Sequence, residues 1–140
     1  MRTFLLAAAL AVSAGCTKSS PTSASTDESA AAKLPTVTID EVDQQLAKGA
    51  CQAVDANGEG TRKHMGVVPG AVLLTDEATY SLSELPADKS KPLVFYCGGP
   101  QCVASHHAAA RAITAGYTNV KVMPDGISGW VKAGKKTQQL

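Results

Sequence analysis

Two cysteines, Cys97 and Cys102, enclose the segment Gly98-Gly99-Pro100-Gln101. Cys97 directly follows the unbroken apolar run Leu93-Val94-Phe95-Tyr96, which reads as a strand covered on both faces. The chain from 102 to 115 reads as a helix. A loop that runs from a strand tip into a helix N-terminus lets successive backbone N–H groups converge, and the helix dipole adds partial positive charge there. Such a place favours thiolate over thiol, which makes a cysteine both a nucleophile and a carrier of an anionic sulfur species. Gly98 and Gly99 allow the backbone angles of a tight cradle, and Gly98, Gly99, Gln101 and Cys102 each have an N–H to offer, whereas Pro100 has none. The same residues also fit a plain Gly-Gly-Pro turn with Cys97 as a small buried apolar group.

Cys102 adds a second thiol close enough for a disulfide if the loop folds back. As a resolving thiol it would attack a persulfide or sulfenic acid on Cys97 and leave a disulfide for an external reductant to open. As a loop thiol it would only close the cradle. Cys51 begins its strand while Cys97 follows the end of a neighbouring one, which separates them by about 13 Å at the rise of an extended chain, so Cys51 is expected in the core. His106 and His107 lie behind the loop on helix positions about 100° apart, so only one can face it. No Cys-x-x-Cys spacing announces a structural metal site, and neither a metal nor a cofactor is expected, although two thiols and a histidine would suit a soft ion such as Cu(I).

The elements that must position this loop alternate in type. Strands are expected at 37–39, 51–55, 70–74, 93–96 and 120–122, and helices at 41–48 (capped by Asp40, with Val42, Leu46 and Ala47 inward), 102–115 and 127–133. This is the pattern of an α/β domain with a central, mainly parallel, five-stranded sheet flanked by helices, and ligands bind such sheets at the C-terminal edge of the strands. Asp55 ends the second strand, where it is expected to support the loop through hydrogen bonds rather than to act as an acid. Trp130 is expected to pack.

The 140 residues suffice for one domain and a leader. Lys and Arg number 13 against 12 Asp and Glu, a balance that offers no field for gathering nucleic acid. Residues 1–15 read as an export signal: Arg2, an apolar run from Phe4 to Val12, then Ser13-Ala14-Gly15. The run is far short of the ~20 residues that span a membrane. Small residues followed by Cys16 resemble the bacterial lipobox, with Ser13 where that pattern usually has Leu, and the resemblance implies lipidation at Cys16. Residues 16–36, rich in Ser, Thr and Ala, read as a flexible tether, and 37–140 as the folded domain. Export to the cell envelope on a lipid anchor is therefore expected, with the choice of membrane open.

The strand Val54-Asp55, the segment Gly66-Val67-Val68-Pro69-Gly70-Ala71, the run Val94-Phe95-Tyr96-Cys97 and the tail Ala115-Gly116-Tyr117, Asn119-Val120, Gly126-Ile127, Trp130 and Ala133-Gly134 together resemble the rhodanese homology domain. The resemblance implies a sulfurtransferase in which Cys97 takes a sulfane sulfur as a persulfide and passes it to a thiophilic acceptor. The implied partners are a small sulfur donor and a thiol or cyanide-like acceptor, and a monomer is expected. Three departures stand out. No basic residue lies between Cys97 and His106, where the family usually has an Arg. Counting back from Ala115-Gly116-Tyr117 gives a loop about two residues longer than usual, with Ser105 rather than Val103 opening the helix and supporting the loop. Asn57 stands where the family's Asp-x-Arg has Arg, leaving Arg62, Lys63 or His64 as substitutes. The missing Arg also argues against a phosphatase on this fold, which needs one to grip phosphoryl oxygens. Two other readings stay open: a thiol–disulfide protein using Cys97 and Cys102, and a non-catalytic binding or sensing module.

Overall fold

The computed structural model describes residues 34–140. The leader at 1–15, the lipidation site Cys16 and most of the tether at 16–36 lie outside the described residues. Among the described residues, no helix is long and apolar enough to cross a membrane.

Among the described residues, four parallel strands form the sheet: β1 (Gln52–Asp55), β2 (Val72–Leu73), β3 (Leu93–Tyr96) and β4 (Val120–Val122), in the order β2-β1-β3-β4. The expected first strand at 37–39 is not one. Thr36 makes only an isolated parallel bridge to Val122, and Thr38, not Asp40, caps helix α1 (Ile39–Ala47). Thr38-x-x-Glu41 forms a reciprocal capping box that satisfies donors at both positions, and it captures the chain for the helix just where the β-branched residues Val37 and Ile39 suggest a strand. On α1, Val42 is buried and Leu46 partly so, but Ala47 is exposed, contrary to its expected inward position. Helix α2 (Glu59–Met65) follows β1 and was not expected, having no buried residue. A short 3₁₀ turn spans Leu82–Glu84, α3 spans Ala104–Thr114, and α4 spans Gly126–Lys132.

Alternation along β3 divides the core. Leu93 and Phe95 face a cluster with Ala108, Ala109 and Ala112 of α3, Tyr80 and Tyr117. Val94 and Tyr96 face Val42 of α1 and Ile127 and Trp130 of α4. Helices cover both faces of β3, α3 on one and α1 and α4 on the other, which is why β3 carries apolar side chains on both. The connection from β1 leads outward to β2, while that from β3 leads the opposite way to β4. The crevice beyond the tips of β1 and β3 is thus the point where strand order reverses, the usual ligand position in such sheets.

Two core tyrosines make the stability pH-dependent. Tyr80 donates its hydroxyl to the Ala108 carbonyl at 2.8 Å, and burial pushes its phenol up from 10.0 to about 12, against the lowering pull of Arg111. Burial and the nearby Asp55 carboxylate push the Tyr96 phenol up as well. Both groups hold their protons more tightly in the folded chain. The stability they carry is therefore whole below the unfolded phenol value near 10 and is lost as pH rises through the folded value, about 12 for Tyr80. Thermal melts across this interval should fall with pH in the native chain, and fall less steeply in Tyr80→Phe.

Candidate functional site

Cys97 leaves β3 at this crevice and is 2% exposed. Its neighbours in the core are Phe95, Ala56 and the α3 alanines, whereas Cys51 belongs to the cluster on the opposite face of the sheet and remains a free, buried thiol. Burial pushes the Cys51 thiol up, partly countered by Lys121 and Lys91. The chemistry therefore concentrates in one place.

The loop folds back on itself. Gly99-Pro100-Gln101-Cys102 is a turn closed by the Cys102 N–H donating to the Gly99 carbonyl at 2.9 Å, with Pro100 at the position where its fixed φ favours turning. The fold-back brings the Cα atoms of Cys97 and Cys102 to 6.3 Å, and their sulfurs are joined in a disulfide. Cys102 is the more open of the two and lines a shallow cavity of about 520 Å³ with Gly99, Pro100 and Gln101. Since the Cys102 amide is spent on the turn, the expected cradle loses one of its four donors. The amides of Gly98, Gly99 and Gln101 donate to nothing among the described residues.

Helix α3 begins at Ala104, two residues later than expected, because residues 99–102 are consumed by the turn. Ser105 is thus the second residue of the helix rather than the one that opens it, and it is buried. Its Oγ lies 3.3 Å from Cys97 Sγ. A disulfide sulfur carries no proton, so the hydroxyl is the donor in this contact, and the same hydroxyl can donate to a thiolate.

The other side of the loop rests on α4. The N–H groups of Ile127 and Ser128 donate to the carbonyls of Cys97 (2.8 Å) and Gly98 (3.0 Å). Gly126 adopts φ +59, and a Cβ there would press on the Cys97 carbonyl oxygen and come within 2.7 Å of the Gly99 nitrogen. A Cβ on Gly99 would come within 2.6 Å of Ser128 Oγ. Close backbone approach, more than free turning, explains these two glycines.

Beneath the loop is a polar floor. Asp55 is completely buried, and its Oδ1 accepts from the Asn57 N–H at 2.7 Å and from Arg62 Nε at 3.1 Å. Arg62 also donates through Nη2 to the carbonyls of Asp55 (3.0 Å) and Leu74 (2.9 Å), tying the tips of β1 and β2 together. Of the three substitutes expected for the Arg that Asn57 replaces, Arg62 is the one that pairs with Asp55, while Lys63 pairs with Glu59 and His64 is exposed. Asn57 is 8% exposed, and its Oδ1 would lie 3.8 Å from a Cβ on Gly98. Its Nδ2 makes no hydrogen bond among the described residues. Asn57 is thus a buried polar group at the edge of the cradle, in a role that sequence reasoning did not assign. His106 is half-buried with an unpartnered Nδ1, and His107 is exposed. Trp130 packs, with Nε1 donating to the Lys136 carbonyl at 2.8 Å. Among the described residues, no group of three or more His, Cys, Asp or Glu side chains is placed to share a metal ion.

A family model described as the rhodanese-like domain matches residues 38–133. Solved structures share the fold. A protein from Bacillus halodurans is 23% identical with a TM-score of 0.65, covering 75% of this chain and 77% of its own. A human single-domain sulfurtransferase is 20% identical with a TM-score of 0.56, covering 70% of this chain and 96% of its own. The thiosulfate sulfurtransferase of Pseudomonas aeruginosa is 22% identical with a TM-score of 0.64, covering 76% of this chain and 20% of its own. No curated protein matches the chain significantly.

Proposed function

Because the chain belongs to the rhodanese-like domain family, we propose that it is a sulfurtransferase tethered in the bacterial cell envelope, with Cys97 as the sulfur-carrying nucleophile. The carrying observation is the setting of Cys97: at the tip of β3, where strand order reverses, beside the uncommitted amides of Gly98, Gly99 and Gln101 and the hydroxyl of Ser105. These donors suit a sulfur that must hold negative charge without a basic side chain. In the reduced protein the Cys97 thiolate attacks the outer sulfur of a donor, the donor's inner group leaves with the bonding electrons, and a persulfide remains on Cys97. A thiophilic acceptor then removes that sulfur and regenerates the thiolate. Two of the structural neighbours are sulfurtransferases, which agrees with this reading.

The loop offers no arginine to pair with a dianion, and Arg62 is engaged beneath it. A persulfide donor, whose leaving group is an ordinary thiolate, is therefore the preferred substrate over thiosulfate. The lipobox-like Ser13-Ala14-Gly15-Cys16 and the polar stretch after it support envelope tethering, with the domain from residue 37 held off the membrane.

The test is direct. With Cys102→Ser in the reduced chain, a persulfide donor should leave one extra sulfur atom on Cys97, visible by intact mass, and cyanide should remove it as thiocyanate. Absence of the added sulfur with every donor would end the proposal. The Cys97–Cys102 disulfide favours a second reading, thiol–disulfide exchange with a partner protein, under which the same variant takes no sulfur but forms a mixed disulfide through Cys97.

A further inference from the structure

Sulfur transfer needs one cysteine, yet this loop is folded to bring a second into bonding contact with the first. We propose that Cys102 is a resolving thiol that turns the site into a reductase of sulfane sulfur, with hydrosulfide as its product. The step rests on the sulfurtransferase reading, since it begins from the Cys97 persulfide. The Cys102 thiolate attacks Cys97 Sγ, the bond from Cys97 Sγ to the outer sulfur breaks, and hydrosulfide leaves with the bonding pair. The Cys97–Cys102 disulfide remains. The two electrons that reduce the sulfane sulfur come from the two cysteines, and an external dithiol restores them.

Three observations carry this. The first is proximity: the turn at Gly99–Cys102 puts the two Cα atoms 6.3 Å apart, within ordinary disulfide range, so attack needs no rearrangement of α3 or β3. The base of the loop is held by Ile127 and Ser128 while the turn presents Cys102, so the attacking group is pre-positioned.

The second is the unequal exposure of the two sulfurs. Cys97 is 2% exposed, whereas Cys102 is half-buried and lines the open cavity. An incoming dithiol meets Cys102, forms its mixed disulfide there, and expels Cys97 as thiolate. Exchange favours the leaving sulfur that is better stabilised, and Cys97 has Ser105 Oγ at 3.3 Å. Reduction from this side returns the nucleophile in its charged, reactive form.

The third is what the loop lacks. No Lys or Arg lies between Cys97 and His106 to pair with a persulfide anion, and Arg62 is bound to Asp55 and to two carbonyls below. Departure of the outer sulfur as an anion therefore breaks no ion pair with a loop side chain.

The experiment uses the full chain, reduced and then freed of reductant under anaerobic conditions, and given one equivalent of glutathione persulfide. Hydrosulfide is trapped with a bimane reagent, and the protein is alkylated and weighed. The native chain should release close to one equivalent of hydrosulfide and finish as the Cys97–Cys102 disulfide. In Cys102→Ser and Cys102→Ala, persulfide should stay on Cys97, with hydrosulfide release slowed about 100-fold or more, as expected when a positioned thiol is lost. A native chain that keeps its persulfide while Cys102 alkylates freely would overturn the step alone. Equal hydrosulfide release from the native chain and both variants would do the same. Failure of either variant to accept sulfur would remove the transferase reading and this step with it.

Discussion

Gly126→Ala should cost about 2–5 kcal/mol of stability, the sum of a left-handed backbone forced on an L-residue and an overlap with neighbouring atoms. It should also slow sulfur transfer about 100-fold, because the atoms overlapped are those of the reactive loop itself. The added Cβ would press on the Cys97 carbonyl oxygen, the Gly98 carbonyl carbon and the Gly99 nitrogen, none of which is a flexible side chain. Relief requires the loop to lift from α4, which breaks the hydrogen bonds from Ile127 and Ser128. Gly134→Ala is the internal control. Gly134 also has positive φ, +71, but beyond its own chain neighbours no atom lies within 4 Å of the Cβ position. That variant should lose only about 1 kcal/mol and keep its activity. Urea unfolding and thiocyanate formation on both variants separate backbone strain from loop displacement. Equal behaviour of the two would mean that the contact between α4 and the loop does not set the site's geometry.

Arg62→Ala should be the costliest side-chain truncation at the site, about 3–5 kcal/mol, because it leaves a charge buried without its partner. The Asp55 side chain is 0% exposed and Arg62 only 11%. Removing the guanidinium also strips a donor from the carbonyls of Asp55 and Leu74, so the tips of β1 and β2 lose their tie. Arg62→Lys should recover little, since one ammonium cannot reproduce the planar fork that meets three acceptors. Combining Arg62→Ala with Asp55→Asn should recover part of the loss by removing the unpaired charge. Unfolding midpoints of the single and double variants check this. An Arg62→Ala chain within about 1 kcal/mol of the native one would show that solvent replaces the guanidinium at this floor.

The parts of the fold legible in the sequence were those whose burial leaves a periodic trace. Leu93–Tyr96 is apolar without interruption because both faces are covered, and Val120–Val122 alternates as its burial does, so both strands were found at their true bounds. Helix α2 left no such trace: Gly60 interrupts it, none of its residues is buried, and its anchor is the reach of Arg62 into the site. The strand expected at 37–39 failed because β-branched residues flank Thr38 while the stronger signal, Thr38-x-x-Glu41, spans the same positions. At the site, Cys97 and the loop glycines were readable from local spacing and from resemblance. The disulfide was one of two states that spacing allowed. The structure chooses the disulfide through a turn that Pro100 starts and that carries Cys102 back. The roles of Gly126, Asn57 and Arg62 depend on segments far apart in sequence meeting at one strand edge, and no local pattern marks them.

The central claim is tested most directly by cyanide-dependent thiocyanate formation in the reduced Cys102→Ser chain, in which no second thiol can resolve the persulfide, with glutathione persulfide and with thiosulfate, beside Cys97→Ala in the same background. The account predicts turnover that the persulfide donor supports better than thiosulfate, that vanishes when Cys97 is replaced, and that is absent from the native chain once it is oxidised to its Cys97–Cys102 disulfide. Turnover that survives replacement of Cys97, or none from the reduced Cys102→Ser chain with either donor, would contradict it.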